Sequence, residues 1–336
     1  MIATKKILVI RFSSIGDIVL ASPVLRCIKK QIENCELHFC TKFAFRTINA
    51  ANPYIDKFFY YHNNMPELLA KLKAESYDHV VDLHHNFRSF AIKQYLKVDT
   101  ATIAKLTFEK YLLTKLNIDI MPNRHITQRS LDTVSKLKVK DDGEGLDYFI
   151  PAKDEITPND IPTGHLAGYI VIVIGASYAT KKLPVNKLIS LCENINHPII
   201  LVGGMEDAKN GAVIANTSAV KIYNACGKFT INESAAIIKN AKMVVSNDTG
   251  MLYIACAFKK PVVALWGSTT PDLDVEPYYG SKYTALQKKR LYENVVLKLS
   301  CQPCSKYGLH KCPKEHFNCM EKINVQKLAD LVRTFL

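Results

Sequence analysis

Residues 246–271, SNDTGMLYIACAFKKPVVALWGSTTP, hold the clearest arrangement of chemically capable side chains in the sequence. A short apolar run ends in three polar residues, the last of which is Asp248, and Thr249 and Gly250 then precede an apolar segment with helical spacing. This order predicts a strand, a sharp polar turn and the N-terminus of a helix. Unpaired backbone N–H groups and the helix dipole favour an anion there, so we expect Asp248, Thr249 and Gly250 to bind a diphosphate.

A second group of candidate residues lies in the sequence GASYATKKLP, directly after a strand-like apolar run. Gly175 and Ala176 would let the backbone approach a ligand closely. Thr180 supplies a hydroxyl, and Lys181 and the lysine after it supply two cations. A cation at this place could stabilise the negative charge on a departing phosphate. The alternative interpretation is an ordinary loop with two surface lysines.

A third group lies in the sequence LVGGMEDAKNG, where Gly203 and Gly204 end another apolar run. Glu206 and Asp207 follow at the start of a helical stretch. Their carboxylates could accept hydrogen bonds from ribose hydroxyls, or they could simply cap the helix.

The first half of the chain offers one well-placed carboxylate, Asp17, in the sequence RFSSIGDIVLASP. Gly16 allows a tight turn after the first strand, and no G-x-G-x-x-G dinucleotide fingerprint occurs there. A carboxylate at a helix N-terminus is stabilised by the dipole and can be purely structural. A carboxylate at the C-terminal edge of a strand could instead accept a proton from a substrate hydroxyl. Both interpretations of Asp17 stay open at this point.

All these residues need strands that end at a common sheet edge, and the chain supplies a regular alternation of apolar strand-like runs and amphipathic stretches. Strands are predicted at residues 7–12, 36–40, 58–60, 79–83, 100–103, 169–174, 199–202, 221–223, 243–246 and 262–266. Helices are predicted at residues 17–33, 43–50, 66–75, 87–96, 125–137 and 325–335, with further helices between the later strands.

Polar segments at residues 138–145 and 154–168 interrupt this alternation. We therefore expect an α/β protein of two Rossmann-like, doubly wound parallel-sheet domains, residues 1–155 and residues 156–336, facing a cleft. Ligands in such sheets bind beyond the carboxyl ends of the strands, so the cleft is the expected site.

In order and spacing, RFSSIGDIVLASP, GASYATKKLP, LVGG-x-ED and residues 246–271 resemble segments of the bacterial ADP-heptose:lipopolysaccharide heptosyltransferases. These enzymes form glycosyltransferase family 9 and have the GT-B fold. The resemblance covers nearly the whole chain, and its most specific part is the Asp-Thr-Gly segment. It implies an inverting transfer of heptose from ADP-heptose to an inner-core sugar of lipopolysaccharide. The C-terminal domain would bind the nucleotide sugar, and the N-terminal domain would bind the acceptor.

The resemblance also implies roles for individual residues. Asp17 matches the family's proposed catalytic base, and Lys181 matches its phosphate-binding lysine, which would assist catalysis. The implied donor-binding residues are Gly175, Ala176, Thr180, Lys181, Gly203, Glu206, Asp248, Thr249 and Gly250.

On the acceptor side the resemblance implies an anionic sugar that carries carboxylates and phosphates. Arginine binds such groups in a fork geometry, which makes Arg124 and Arg129, in NRHITQRSL, candidate acceptor ligands. Ser14 and Gly16, beside Asp17, are expected to line the same site.

No catalytic metal or other cofactor is expected, because Lys181 and the helix dipole could supply the positive charge that a leaving diphosphate needs. Asp272-Leu273-Asp274 spells the D-x-D motif of metal-dependent glycosyltransferases. It lies between prolines in a loop, and we interpret it as loop capping, since short motifs often match by chance.

Four cysteines near the C-terminus have the spacing Cys301-x2-Cys304-x7-Cys312-x6-Cys319. Such a group in a cytoplasmic chain suggests a tetrahedral structural zinc site, which would brace the end of the second domain. The C-x2-C pair is not repeated, so two disulfides or four free thiols remain alternatives.

Composition narrows the function class. The formal net charge of +13 suits nucleic acid, an anionic membrane face or an anionic substrate. A nucleic-acid-binding protein is disfavoured because aromatic residues are not interleaved with basic ones. No apolar run is long enough to span a bilayer and the start has no signal-peptide pattern, so we expect a cytoplasmic enzyme that works at the inner membrane surface. A GT-B enzyme using another nucleotide sugar is the nearest alternative.

Overall fold

The computed structural model describes residues 4–336 and divides into two compact units. Unit 1 comprises the chain up to Leu106, Arg124–Phe149 and Gly280–Lys282. Unit 2 comprises Thr107–Asn123, Ile150–Tyr279 and Tyr283–Leu336. The predicted boundary at residue 155 divides the chain into two consecutive domains. Each compact unit, however, includes a short segment from the other side of that boundary.

Each unit is built on one parallel sheet. The sheet of unit 1 has the strand order β3-β2-β1-β4-β5, with β1 (Lys5–Ile10), β2 (Cys35–Lys42), β3 (Lys57–Tyr61), β4 (His79–Asp82) and β5 (Asp99–Thr102). The sheet of unit 2 has the order β11-β10-β9-β6-β7-β8, with β6 (Ile170–Val173), β7 (Ile199–Val202), β8 (Ile222–Asn224), β9 (Val244–Asn247), β10 (Val262–Leu265) and β11 (Tyr292–Val295).

Helices cover and connect the strands. The α-helices in residues 4–336 are α1 (Ile15–Leu20), α2 (Ser22–Gln31), α3 (Met65–Lys73), α4 (Phe87–Leu96), α5 (Thr107–Tyr111), α6 (Ile126–Asp132), α7 (Val185–Asn194), α8 (Ala208–Ala215), α9 (Ile231–Asn240), α10 (Gly250–Ala257), α11 (Ala285–Lys289), α12 (Asn318–Glu321) and α13 (Val325–Thr334). None of these helices is long and apolar enough to cross a bilayer.

Burial explains why the central strands are almost entirely apolar. In β6 and β10 every residue is buried, as expected for parallel strands covered on both faces. In unit 2 the core continues from these strands to the C-terminal region, where Met320 and Val332 are fully buried in the same cluster. The cysteine-rich end of the chain is therefore part of the packing of unit 2.

The prediction of two parallel α/β sheets is confirmed, and the predicted strands agree with observed ones to within a few residues. A single helix predicted at residues 17–33 is wrong in one respect: α1 ends at Leu20 and α2 restarts at Ser22. Pro23 lies in the first turn of α2. Proline is tolerated there but would break a continuous helix, because it lacks an N–H and clashes with the preceding turn.

The helix predicted at residues 43–50 is also wrong, because only one 3₁₀ turn, Phe43–Phe45, forms there. The following residues make turns that end at Asn52, whose side-chain oxygen accepts a hydrogen bond from the Tyr54 N–H at 3.0 Å. Asparagine before proline favours such a local turn over a helix. Conversely, the edge strand β11 and the helical segment at residues 107–116 were not predicted.

The strand order reverses at one place in each sheet. In unit 1, β1 lies between β2 and β4, and in unit 2, β6 lies between β7 and β9. Loops leaving such neighbouring strands in opposite directions open a crevice at the carboxyl edge, where open α/β sheets bind ligands. The loops that follow β1 and β4 in unit 1 and β6 and β9 in unit 2 together carry most of the predicted site residues.

A short return of the chain completes unit 1. Gly280–Lys282 packs against residues 141–145, where Ser281 donates a hydrogen bond to Asp141 at 2.7 Å and Lys282 pairs with Glu144. A Cβ at Gly280, whose φ is +123°, would lie 2.1 Å from the carbonyl oxygen of Gly143. The approach is thus close enough to require glycine.

Candidate active site at two strand-order reversals

Asp17 lies at the strand-order reversal of unit 1, in the first turn of α1. One carboxylate oxygen accepts hydrogen bonds from the Ser14 N–H at 2.9 Å and the Ser14 hydroxyl at 3.0 Å. The other oxygen lies 2.6 Å from Nη2 of Arg11. The Asp17 side chain is nevertheless 30% exposed. The carboxylate therefore has a structural capping role and also remains accessible to a substrate.

The surroundings of Asp17 keep it ionised. Burial raises its pKa, but the positive charge of Arg11 and the hydrogen bonds from Ser14 outweigh that effect, so the pKa of Asp17 is lowered. Arg11 is itself fixed, because its guanidinium donates to the carbonyl oxygens of Ser13 and Leu83. At neutral pH Asp17 is therefore an oriented, ionised carboxylate.

His84 follows β4 and lies close to this group. Burial, with a contribution from the positive charge of Arg11, lowers the pKa of His84 to about 4, so the imidazole is neutral at physiological pH. Its ring packs edge-on against Phe12, with centroids 5.3 Å apart. Nδ1 of His84 is buried without a hydrogen-bond partner in the described part of the chain.

The predicted acceptor residues have different environments. Ser14 is exposed, whereas Gly16 is buried in the turn. Arg124 forms a two-pronged pair with Asp132, with N···O distances of 2.7 and 2.5 Å. Arg129 is buried and donates to main-chain carbonyl oxygens, among them that of Ala104 at 2.8 Å. Both guanidinium groups already have protein partners, and Arg129 in particular has the environment of a structural residue.

At the strand-order reversal of unit 2, Lys181 and Asp248 meet directly. Nζ of Lys181 lies 2.6 Å from an Asp248 carboxylate oxygen, and the Thr269 hydroxyl donates to the same oxygen at 2.7 Å. The Lys181 side chain is 15% exposed. An ammonium group has three N–H donors, so one contact with Asp248 leaves donors that can reach phosphate oxygens.

Helix α10 begins beside this pair. Thr249 is its N-cap, and the Thr249 hydroxyl accepts a hydrogen bond from the Met251 N–H at 3.2 Å. The preceding residue Asn247 is fully buried and binds the carbonyl oxygens of Val173 and Ile174, which ties β9 to the end of β6. This link holds the N-terminus of α10 against the loop that contains Lys181.

Gly175, Gly203 and Asp207 form a crowded corner next to that loop. A Cβ at Gly175 would lie 2.4 Å from an Asp207 carboxylate oxygen and 3.3 Å from Cα of Gly203. Asp207 is buried, pairs with Lys182 at 2.6 Å and accepts from the Gly204 N–H at 3.0 Å. Asp207 thus takes the capping role, and Glu206 beside it is exposed and accessible to a ligand.

Thr180 differs from the expectation of an exposed donor ligand. It is only 3% exposed, and its hydroxyl lies 2.7 Å from that of Ser268 and 2.9 Å from the carbonyl oxygen of Leu309. Ala176, by contrast, is partly exposed. The Thr180 hydroxyl is therefore directed into the protein.

The four C-terminal cysteines carry free thiols and lie near one another, Cys301, Cys304 and Cys312 being partly exposed and Cys319 buried. Burial and the neighbouring thiols raise the pKa of Cys319 to about 12. Sγ of Cys301 lies 3.9 Å from Nε2 of His316. Within residues 4–336, however, no three of these ligands lie within 4.8 Å of one another. Zinc ligands all lie about 2.0–2.3 Å from the metal, so structural zinc at these cysteines stays a prediction.

The set that does meet this spacing in the described chain is Glu36, His38 and Glu75 in unit 1. Lys6 lies 3.3 Å from Glu36 and 3.4 Å from Glu75, and Lys57 pairs with Glu75. The lysines already neutralise these carboxylates, so the group is an ion-pair network.

Sequence reasoning missed Arg11 and His84. Both lie at strand ends next to Asp17 in space, but His84 is far from it in sequence, and only the β1–β4 pairing brings them together. Their position directly after apolar runs was the one signal that could have identified them.

Comparisons with known proteins identify the family. Residues 65–308 match the family model described as glycosyltransferase family 9 (heptosyltransferase). The chain is 24% identical to lipopolysaccharide heptosyltransferase 1 of Campylobacter coli, over 79% of this chain and 84% of that protein.

Solved structures show the same fold. The family 9 glycosyltransferase of Veillonella parvula DSM 2008 superposes with a TM-score of 0.78 at 16% identity, over 100% of this chain and 98% of that chain. An E. coli heptosyltransferase with ADP superposes with a TM-score of 0.71 at 18% identity, over 98% and 100% of the two chains. Two Rossmann-like parallel-sheet units are thus a shared architecture, and the chain belongs to glycosyltransferase family 9, the heptosyltransferases.

Proposed function

We propose that this enzyme transfers heptose from ADP-heptose to the inner core of lipopolysaccharide, with inversion at the anomeric carbon. The observation that carries the proposal is the chemistry at the two reversal points. One holds an ionised, accessible carboxylate, Asp17, and the other holds a lysine, Lys181, beside a helix N-terminus. A proton acceptor and an anion-binding group are what a glycosyl transfer from a nucleoside diphosphate sugar requires.

The relatives support the substrates. The Campylobacter coli protein is a lipopolysaccharide heptosyltransferase, and the superposed E. coli heptosyltransferase contains ADP. The formal net charge of +13 suits a phosphorylated acceptor presented on an anionic membrane surface. We propose that the enzyme works there without a membrane anchor in the described helices.

In the proposed reaction the acceptor hydroxyl attacks the anomeric carbon from the face opposite the diphosphate. Its proton passes to the Asp17 carboxylate while the new C–O bond forms. The bond between the anomeric carbon and the diphosphate oxygen breaks, and ADP leaves with the electron pair. Lys181 and the N–H groups at the start of α10 stabilise the charge that develops on the diphosphate.

We propose that the donor also contacts Gly175, Ala176, Gly203 and Glu206. Ala176 and Gly203 are partly exposed, and the exposed Glu206 carboxylate can accept hydrogen bonds from ribose hydroxyls. Thr180 was predicted with this group, and its buried hydroxyl suits a supporting role better. Asp248 and Thr249 would hold Lys181 and the helix N-terminus in place.

On the acceptor side, we propose that Ser14 and Gly16 line the site beside Asp17. Arg124 could contribute only by exchanging Asp132 for an acceptor anion, and Arg129 would support the backbone near it.

We infer that no catalytic metal is required, since Lys181 and the α10 N-terminus supply positive charge where the diphosphate leaves. Asp272 is exposed, and Asp274 adopts a left-handed conformation at the end of a 3₁₀ turn, as expected for a loop-capping residue. Transfer should therefore continue in excess EDTA. Loss of activity on chelation, with recovery on adding a divalent cation, would contradict this inference.

Structural zinc at Cys301, Cys304, Cys312 and Cys319 stays a prediction. The thiols would have to move closer together to share one ion. Metal analysis of protein purified without chelators decides it, with about one zinc per chain expected if the site exists.

The function is tested by incubating the protein with ADP-heptose and a heptose-deficient lipopolysaccharide acceptor while ADP release is measured. NMR of the product gives the anomeric configuration, and inversion is expected. A thermal-shift panel of nucleotide sugars tests the donor, because the ligand that binds the native state best raises the melting temperature most. A larger shift with another nucleotide sugar, and transfer of that sugar, would replace ADP-heptose as the donor.

A further inference from the structure

Thr180 is the meeting point of three segments of unit 2. Its N–H donates to the Leu309 carbonyl oxygen at 3.1 Å, and its own carbonyl oxygen accepts from the Ser268 N–H at 3.1 Å. Its hydroxyl contacts Leu309 on both backbone groups, accepting from the N–H at 2.8 Å and donating to the carbonyl oxygen at 2.9 Å. The Ser268 hydroxyl at 2.7 Å can then donate to it. One donated and two accepted hydrogen bonds saturate a hydroxyl.

The loop after β10 is held by the cysteine-rich segment, residues 301–309. The carbonyl oxygen of Ser268 accepts from the N–H groups of Cys304 at 3.0 Å and Ser305 at 3.1 Å. The Gln302 side-chain amide donates to the carbonyl oxygen of Gly267 at 2.7 Å. These contacts hold the loop and pair the carbonyl oxygens of Gly267 and Ser268.

Thr180, Ser268 and residues 301–309 form one hydrogen-bond network, and both members of the Lys181–Asp248 pair are attached to it. Lys181 is the next residue after Thr180, in the 3₁₀ turn Ala179–Lys181. Thr269 is the next residue after Ser268, and its hydroxyl donates to Asp248 at 2.7 Å. A single 3₁₀ turn has little rigidity of its own, so the position of Lys181 depends on what holds Thr180.

Two glycines show how closely the segments approach. A Cβ at Gly267 would lie 2.2 Å from the carbonyl oxygen of Thr180. Gly308 has a φ of +108°, and a Cβ there would lie 2.7 Å from Cβ of Tyr178. The ring of His310 also packs on that of Tyr178, with centroids 5.4 Å apart. The segment around Gly308 thus presses directly on the loop that carries Lys181.

We propose that residues 301–309 hold the residues of the diphosphate site, Lys181 and Asp248, in position. Thr180 is the positioning residue that connects this segment to both of them. This inference rests on the proposed function for the identity of the ligand, the diphosphate of ADP. The cysteine-rich segment then has a role in donor affinity in addition to its role in packing. Thr180 itself does not touch the donor.

The test compares Thr180→Val, which keeps the shape but removes the hydroxyl, with Thr180→Ser, which keeps the hydroxyl. We expect Thr180→Val to weaken ADP binding by about tenfold or more and to raise the KM for the donor more than it lowers kcat. Thr180→Ser should stay within about twofold of wild type. ADP affinity is measured by calorimetry below the melting temperature of the least stable variant. Wild-type ADP affinity in folded Thr180→Val would overturn the proposal.

A second pair of variants reaches the same network from the other segment. Gly308→Ala should reduce ADP affinity in the same direction as Thr180→Val, because the new methyl group must displace Tyr178 or the chain. Gly164→Ala is the matched control, since a Cβ at Gly164 meets no atom within 4 Å. Should Thr180→Val fail to fold, Ser268→Ala removes one hydrogen bond to Thr180 and serves instead. A lower melting temperature with unchanged ADP affinity in these variants would mean a structural role alone and would overturn the proposal.

Hydrogen exchange separates this inference from the proposed function. In Thr180→Val the backbone amides of residues 178–182 and 267–269 should exchange faster than in Thr180→Ser, whether or not ADP is the ligand. If wild-type protein does not bind ADP, the proposed function fails while the exchange result still decides the positioning role. Equal exchange in the two variants would overturn it.

Discussion

The reversal points of the two sheets have the same topology and opposite chemistry. In unit 1 the β1 loop presents a carboxylate, Asp17, that is held by one arginine and remains open to a substrate. In unit 2 the β6 loop presents a cation, Lys181, that is paired with Asp248 and supported by Thr269. The shared strand order creates a crevice in each case, and the residues in the loops decide whether that crevice is lined by a carboxylate or by a cation.

The two sites also differ in how they are held. Asp17 depends on neighbours within a few residues and on Arg11, so its support is mostly local. Lys181 depends on Thr180, whose partners Ser268 and Leu309 lie 88 and 129 residues away in sequence. Local contacts of the Asp17 kind tolerate changes elsewhere in the fold. Contacts with distant segments make the position of Lys181 depend on residues near the end of the chain.

Replacing Asp17 should give the largest effect on activity and the clearest difference between the roles of the two sites. Asp17→Asn keeps the shape but removes the proton acceptor, so we expect kcat to fall by about 10²–10⁴-fold. The affinity for ADP should stay unchanged, because Lys181 and Asp248 belong to unit 2. Steady-state kinetics and ADP calorimetry measure the two quantities.

The matched control is Asp272→Asn, which removes an exposed carboxylate of the D-x-D sequence and should leave kcat unchanged. Wild-type kcat in Asp17→Asn would remove Asp17 from the mechanism. A collapse of activity in the control variant would instead point to a role for the D-x-D sequence.

Replacing Lys181, unlike replacing Asp17, should lower the affinity for ADP. Lys181→Met removes the cation and leaves a side chain of similar length, so ADP affinity should fall by about 10–100-fold. Lys187→Met is the control, since it removes the same charge from the nearby helix α7. Equal ADP affinity in the two variants would show that Lys181 does not bind the diphosphate.

Replacing Arg11 should give a smaller effect, a shift in the pH dependence of kcat/KM. Arg11 lowers the pKa of Asp17, so Arg11→Gln should raise that pKa. The base form is lost as pH falls through the pKa, and the acid limb of the kcat/KM profile should therefore move to higher pH. Arg46→Gln, which removes an exposed arginine stacked on Phe43, should leave the limb in place. An unshifted limb in Arg11→Gln would mean that another group sets it.

The smallest expected effect concerns stability in mild acid. The pKa of His84 is lowered to about 4 in the folded protein, chiefly by burial, whereas an unfolded histidine has a pKa of about 6.5. The unfolded state therefore binds a proton first as pH falls from about 6.5 towards 4, and stability is lost over that range. Urea unfolding of His84→Gln should show a weaker loss between pH 7 and 5 than wild type. An identical loss would contradict the buried, neutral state of His84.

The sequence predicted the features that depend on short stretches of chain. The Asp-Thr-Gly turn and the buried strands follow from apolar runs, turn residues and capping, which act over a few residues. The helix expected at residues 43–50 was wrong because the Asn52 side chain stabilises a competing local turn. The edge strand β11 is only partly buried, so its apolar signal is weak.

The sequence could place candidate residues at the ends of strands, as it did for Asp17 and Asp248, but it could not identify the distant groups that contact them. The contacts of Arg11 with Leu83 and of Thr180 with Leu309 depend on how distant segments pack, and no local pattern encodes them.

The return of Gly280–Lys282 to unit 1 affects how this protein can be dissected. A cut near residue 155 gives an N-terminal fragment without Ser281 and Lys282, which pair with Asp141 and Glu144 in the intact chain. The C-terminal fragment would lack Thr107–Asn123, which belongs to unit 2. Neither fragment would contain a complete unit. Studying donor and acceptor binding separately therefore calls for substitutions in the uncut chain.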